Sequence, residues 1–121
     1  MESKKTLILG ASTNPSRYSY MAANKLVKHG HQIIPIGIKK GKVAGETILN
    51  INEPLEGVDT ITLYLGPQNQ PQYYDLIVKT APKRVIFNPG TWNDELILKL
   101  KENKIDAADA CTLVMLSAGT Y

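Results

Sequence analysis

The sequence predicts an α/β fold: a mainly parallel sheet of about five strands with helices on both faces. Three observations carry that expectation. Short apolar runs alternate with segments of helical period along all 121 residues. Most strand candidates stop at glycine or at a turn rich in proline and glycine. No linker, repeat or low-complexity tract breaks the alternation. Residues 1–121 therefore read as one domain, long enough to bury a core without staples.

The first strand spans Lys5–Leu9 and ends at Gly10. A helix follows from Pro15 or Ser16 to His29, with Tyr18, Met21, Ala22 and Leu26 as its apolar face. Asn14 suits the N-cap, Pro15 the first helical position, and Gly30 the C-cap. His31–Ile36 is the second strand, and Gly37–Asn50 reads as a loop punctuated by glycines. Val58–Leu65 is the third strand, rich in β-branched residues, and stops at Gly66-Pro67. Gln70–Lys79 is a helix that buries Tyr73, Tyr74, Ile77 and Val78. Lys83–Phe87 is the fourth strand, ending at Asn88-Pro89-Gly90. Asn93 or Asp94 caps a helix to Lys104, with Leu96, Ile97 and Leu100 facing in. Ile105–Ala108 is a short fifth strand, and Thr112–Leu116 a final short helix.

In a doubly wound, Rossmann-like sheet these strand ends share the carboxyl edge, where ligands bind. The turns at Gly10, Gly37, Gly66-Pro67 and Asn88-Pro89-Gly90 are thus expected to converge. Gly10 turns the chain sharply, and Ala11 and Ser12 leave room for a ligand against the backbone. The helix behind them offers free N–H groups and the positive end of its dipole. Ser12, Asn14, Ser16 and Ser19 can add hydrogen bonds to phosphate oxygens, and Arg17 a charged fork. The plainer alternative leaves Asn14 and Pro15 as caps and Arg17 solvated. Only Gly10 fits the G-x-G-x-x-G fingerprint, since serine and proline stand at positions 12 and 15. The segment after the second strand, Ile36-Gly37-Ile38-Lys39-Lys40, lacks the carboxylate that bonds an NAD ribose. Lys39 and Lys40 favour a phosphorylated ribose, as in NADP or coenzyme A, unless they form a solvated basic loop.

Composition sets bounds on class. The chain is 43% hydrophobic and 21% charged, with a formal net charge of +3. That charge suits an anionic small molecule and is too small to argue for nucleic acid. No apolar run reaches membrane-spanning length, and no signal-peptide core precedes the first strand. The single cysteine, Cys111, excludes an internal disulfide and suits a reducing, cytoplasmic location.

These segments resemble the stand-alone CoA-binding domain family, a module similar to the N-terminal domain of the succinyl-CoA synthetase α subunit. Carrying the resemblance are Gly10-Ala11-Ser12 with Asn14 to Ser19, Gly30-His31 into Ile34-Pro35-Ile36, Gly45-Glu46, Val58-Asp59, Asn88-Pro89-Gly90 and Asp109 to Leu116. It implies coenzyme A or an acyl-CoA as ligand. The turn from Gly10 to Ser19, Tyr18 included, would hold the pyrophosphate. Gly37 to Lys40 would flank the adenosine. Leu65-Gly66-Pro67 would line the cleft, and Asn88-Pro89-Gly90 would lie near the pantetheine arm. The chain departs from the family pattern in two places. Asn88 stands where a glutamine is frequent, and Gly37-Ile38 stands where relatives carry Asn-Pro.

Other constellations point to no reaction. The histidines, His29 and His31, flank a helix-terminal glycine and read as cap and surface residues. No metal-ligand spacing or nucleophile elbow occurs. Cys111 reads either as a small buried hydrophobe or as a thiol that forms a mixed disulfide with bound CoA. Trp92 either covers the cleft mouth or packs on the sheet. The tail from Thr112 to Tyr121 seals the sheet or makes a homodimer contact. The expected function is binding of coenzyme A without self-contained catalysis. The alternatives are an NADP-binding oxidoreductase-like protein, or a scaffold or regulatory subunit for a partner enzyme.

Overall fold

The computed structural model describes residues 3–121. Its five-stranded sheet is wholly parallel. The strands are β1 (Thr6–Leu9), β2 (Ile33–Ile36), β5 (Thr60–Leu63), β6 (Arg84–Phe87) and β7 (Asp106–Asp109), in the order β2-β1-β5-β6-β7. Between β2 and β5 lies a small antiparallel hairpin, β3 (Lys42–Val43) with β4 (Glu46–Thr47). The helices are α1 (Tyr18–Lys28), α2 (Tyr74–Thr80), α3 (Asp94–Glu102) and α4 (Thr112–Ala118). The winding reverses at β1, because the chain goes first to β2 on one side and later to β5 on the other.

The central strands are buried on both faces, as a parallel sheet requires. Leu7, Leu9, Ile61, Leu63, Val85 and Phe87 pack with Leu76 and Ile77 of α2 and Leu96 and Leu100 of α3. On the other face Ile8 and Ile33 meet Ala23 and Leu26 of α1 and Leu116 of α4. The two edges of the sheet differ. At the β2 edge the carbonyl of Pro35 accepts from Leu49 N–H at 2.9 Å, and Gly37 N–H donates to Leu49 O at 3.0 Å. Pro35 has no N–H to offer, and that side of the residue faces away from β1, so an edge strand tolerates it. At the β7 edge Asp106, Ala107 and Asp109 are exposed.

Several sequence expectations need correction. Helix α1 begins at Tyr18, with Arg17 at the N-cap and no side-chain cap. Asn14 instead closes a local turn. Its Oδ1 accepts from Ser16 N–H at 3.0 Å and from the Ser16 hydroxyl at 2.8 Å, and its carbonyl accepts from Arg17 N–H at 3.0 Å. An Asn side chain that bonds its own turn withholds the backbone from the helix. Of the expected apolar face, Ala22 and Leu26 are buried, with Ser19 and Ala23 beside them, but Tyr18 and Met21 are exposed. The predicted loop 37–50 holds the β3–β4 hairpin, turned by Ala44 and Gly45 with φ of 51° and 82°. The predicted helix from Gln70 starts as a 3-10 turn at Pro71–Tyr73 before α2, and a further 3-10 turn, Pro67–Asn69, precedes it. Pro71 cannot donate a helical hydrogen bond.

His31 is buried rather than on the surface. It sits at the amino end of the sheet, where its Nδ1 accepts from Lys4 N–H at 2.9 Å. Its ring lies 4.9 Å from that of Tyr121, which also stacks under Arg84 at 4.5 Å and whose hydroxyl pairs with that of Thr6. Burial, then the charges of Lys4, His29 and Arg84, hold the imidazole below its ordinary pKa of 6.5, against a smaller opposing pull from Asp59. The neutral ring is thus favoured in the folded state. This stabilising contribution is complete above pH 6.5 and is lost as pH falls below it toward the folded value. Thermal unfolding followed from pH 7.5 to 5 should show the loss, and His31→Asn should flatten that segment of the profile.

Candidate functional site

Beyond the carboxyl ends of the strands, at the reversal between β1 and β5, lies a cleft of about 630 Å³. In open α/β sheets this reversal is where ligands bind. The backbone places its floor. The Ile36 carbonyl accepts from both Gly10 N–H at 3.0 Å and Ala11 N–H at 2.9 Å, and Tyr64 N–H donates to Leu9 O at 2.9 Å. Gly10 has φ +97°, and a Cβ there would lie 3.0 Å from the Tyr64 carbonyl carbon. At Gly37 a Cβ would lie 2.4 Å from Ala11 O. Both glycines therefore let two strand-end turns pack together.

Residues from all four expected turns meet at this cleft. Gly10, Ala11, Ser12, Asn14, Arg17, Tyr18 and Ser19 form one wall. Gly37 and Lys39 stand beside it, Leu65 and Gly66 lie across, and Pro89 and Gly90 complete the rim. Lys40, Pro67 and Asn88 do not line it. Lys40 is exposed, one residue farther along the loop. Pro67 opens a 3-10 turn and is likewise exposed. Asn88 is drawn inward. Its Nδ2 donates to Thr62 Oγ1 at 2.6 Å and Leu63 O at 2.7 Å, and its Oδ1 accepts from Thr112 N–H at 2.9 Å. Neither Trp92 nor Cys111 lines the cleft. Trp92 packs on Phe87 with ring centroids 5.5 Å apart and donates to Asp94. Cys111 is half-buried at the start of α4.

The structure adds wall residues that pattern reading missed. Tyr64 lies within the expected third strand, just past the end of β5, and Thr91 directly follows the Asn88-Pro89-Gly90 turn. Their positions were legible, but their side chains carry no motif. Tyr73 and Gln72 come from the 3-10 turn that replaces the start of the predicted helix, and Asn69 from the 3-10 turn before it. Ile38 is 76% exposed and Tyr18 70% exposed, so two apolar side chains stand at the cleft without partners. Burial pushes the Tyr64 phenol pKa well up, so it stays neutral.

The two longer helices treat their N-termini differently. Asn93 caps α3 by accepting from Glu95 N–H at 3.1 Å and Leu96 N–H at 3.4 Å, and Asp94 and Glu95 occupy the first turn. Helix α1 has neither a side-chain cap nor an acidic residue there, and Arg17, Tyr18 and Ser19 of its start line the cleft. Uncapped N–H groups at a positive dipole end favour an anion. Among the described residues no group of His, Cys, Asp and Glu could hold a metal ion, and no helix is long and apolar enough to cross a membrane.

The model of a family described as a CoA binding domain matches residues 4–117. A crystal structure of an uncharacterized protein superposes with a TM-score of 0.97 at 57% identity, with 100% of each chain covered. A hypothetical protein from Pyrococcus horikoshii OT3 superposes with a TM-score of 0.84 at 24% identity, covering 96% of this chain and 82% of its own. A Thermus thermophilus protein gives 0.83 at 21% identity, covering 98% and 91%. These last two share the fold. The chain has no match among curated proteins.

The packing of the two turns makes one substitution informative. Gly37→Ala should destabilise the protein by about 1–3 kcal/mol, the usual cost of overpacking, because the opposing atom is a backbone carbonyl. Gly45→Ala offers a contrast, since nothing lies within 4 Å of its added Cβ and only its positive φ opposes the change. Denaturant unfolding of both variants should separate crowding from backbone strain.

Proposed function

The chain belongs to the CoA-binding domain family, and from that premise we propose that it binds coenzyme A or an acyl-CoA in the cleft at the β1–β5 reversal, without catalytic machinery of its own. The observation that carries the reading is the open start of α1. An uncapped helix N-terminus without acidic residues faces the cleft and takes the pyrophosphate. Ser12 and Ser19 supply hydroxyls beside it, and Arg17 supplies charge. Lys39 neutralises the phosphate on the ribose. Gly37 allows the adenosine to lie against backbone. The pantetheine runs between Leu65-Gly66 and Pro89-Gly90. A cleft of about 630 Å³ is of the size that holds a small molecule or cofactor.

Lys39 also favours the phosphorylated ribose of NADP, which is the second reading. Thermal-shift measurements with CoA, acetyl-CoA, NADP and NAD in parallel separate the two. A ligand present at 100 times its dissociation constant adds roughly 2.7 kcal/mol of stability. CoA and acetyl-CoA should raise the melting temperature and NAD should not. A response to NADP alone would overturn the CoA reading, and silence toward all four would favour a scaffold. Arg17→Ala should weaken CoA severalfold by calorimetry, on the order of 1 kcal/mol for a charged hydrogen bond at an exposed site, without lowering the melting temperature. Unchanged affinity would remove Arg17 from the phosphate site.

A further inference from the structure

Backbone pairing between β5 and β6 ends at Leu63 and Phe87, and the Asn88 amide extends it only to Leu63 O. The cleft walls lie farther out, at Leu65, Gly66 and Thr91. What spans the gap between them is the carboxamide of Gln70, which is 0% exposed. Its Nε2 donates to Leu65 O at 2.9 Å and to Thr91 O at 2.7 Å. Its Oε1 accepts from Asn93 Nδ2 at 2.9 Å, and the same Asn93 nitrogen donates to the Tyr74 hydroxyl at 2.8 Å. Both protons of the Gln70 amide and its carbonyl are therefore engaged, with one wall on each proton. An apolar residue of similar size would fill the volume and leave two carbonyls without this donor. Buried acceptors left unsatisfied are costly, so the walls would move apart to reach water.

We propose that Gln70 is a positioning residue for the cleft: its buried amide sets the separation of the Leu65-Gly66 and Thr91–Asn93 segments and so governs affinity for the portion of a ligand that runs between them. The proposal rests on the coenzyme A reading only for the identity of that portion, the pantetheine arm. Gln70 itself does not line the cleft. It acts through the two carbonyls it holds.

The test uses Gln70→Glu, Gln70→Met and Asn93→Asp, the last keeping an oxygen to cap α3 while removing the donor to Gln70. Trp92 is the single tryptophan of the chain and lies between Thr91 and Asn93, so its emission reports the moving wall directly. Calorimetry with CoA and with adenosine 3′,5′-bisphosphate, which lacks the pantetheine, separates the two ends of the cleft. At pH 8 the Gln70→Glu variant should shift Trp92 emission and lose about tenfold in CoA affinity, as expected for a loss near 1.4 kcal/mol. Its affinity for the bisphosphate should stay within about twofold. Protonation of the buried glutamate returns one donor, so the ratio to wild type for CoA should recover as pH is lowered to 5.5. Gln70→Met should show the loss at every pH, and Asn93→Asp a smaller loss in the same direction. Equal losses for both ligands, or unaltered Trp92 emission, would overturn the proposal. If the wild type binds neither ligand, the coenzyme reading fails. The Trp92 emission of the unliganded variants then decides the role of Gln70, with a shift upholding it and no change overturning it.

Discussion

The cleft depends on one shared acceptor. The Ile36 carbonyl takes the N–H groups of both Gly10 and Ala11, at 3.0 and 2.9 Å, and so fixes the first turn against the end of β2. The arrangement uses no side chain. It requires Gly37 beside Ile36, because any Cβ there would meet Ala11 O. Once the backbone holds the turn, Arg17 and Tyr18 are left exposed at the cleft wall, while Ser12, Asn14 and Ser16 bond one another in the turn. The result is a rigid floor with a chemically adjustable wall, and an uncapped helix start sits where the two meet.

The opposite walls are held by another means. Two carboxamides do there what backbone does at the floor. Asn88 joins β5, its own turn and α4 through Thr62, Leu63 and Thr112. Gln70 joins the ends of β5 and β6 one layer farther out. Each amide has its donors and acceptor engaged, which is the condition for a polar group to be buried without penalty. The Thr62 and Thr112 hydroxyls bond each other at 2.8 Å, and this ties α4 to the same layer. Two mechanisms therefore meet at one cleft, and the side-chain half is the one that sequence variation can retune.

How much of this the sequence disclosed follows the same division. The parallel sheet, the order of elements and the convergence of glycine turns rest on period and punctuation, and those are local signals. The turns that line the cleft were legible because glycine at a strand end has few other uses. Asn14 misled because an asparagine before proline and serine caps a turn as readily as a helix. Tyr18 and Met21 misled because exposed apolar residues keep helical spacing without facing the core. The inward turn of Asn88 and the span of Gln70 were not legible. Asn88 bonds Thr62 and Leu63, 26 and 25 residues away, and Gln70 reaches Thr91, 21 residues away, and such long-range partners leave no periodic trace.

The unequal edges of the sheet bear on how copies of this protein behave when concentrated. The β2 edge is occupied by Leu49, but β7 presents exposed main chain along Asp106 to Asp109. Bare strand edges invite pairing between molecules. Antiparallel self-pairing centred between Ala107 and Ala108 would set Asp106 of each copy opposite Asp109 of the other. Like charges directly opposite one another oppose such a ladder. The short strand thus carries its own deterrent against sheet-to-sheet polymerisation, in two carboxylates that have no part in the cleft.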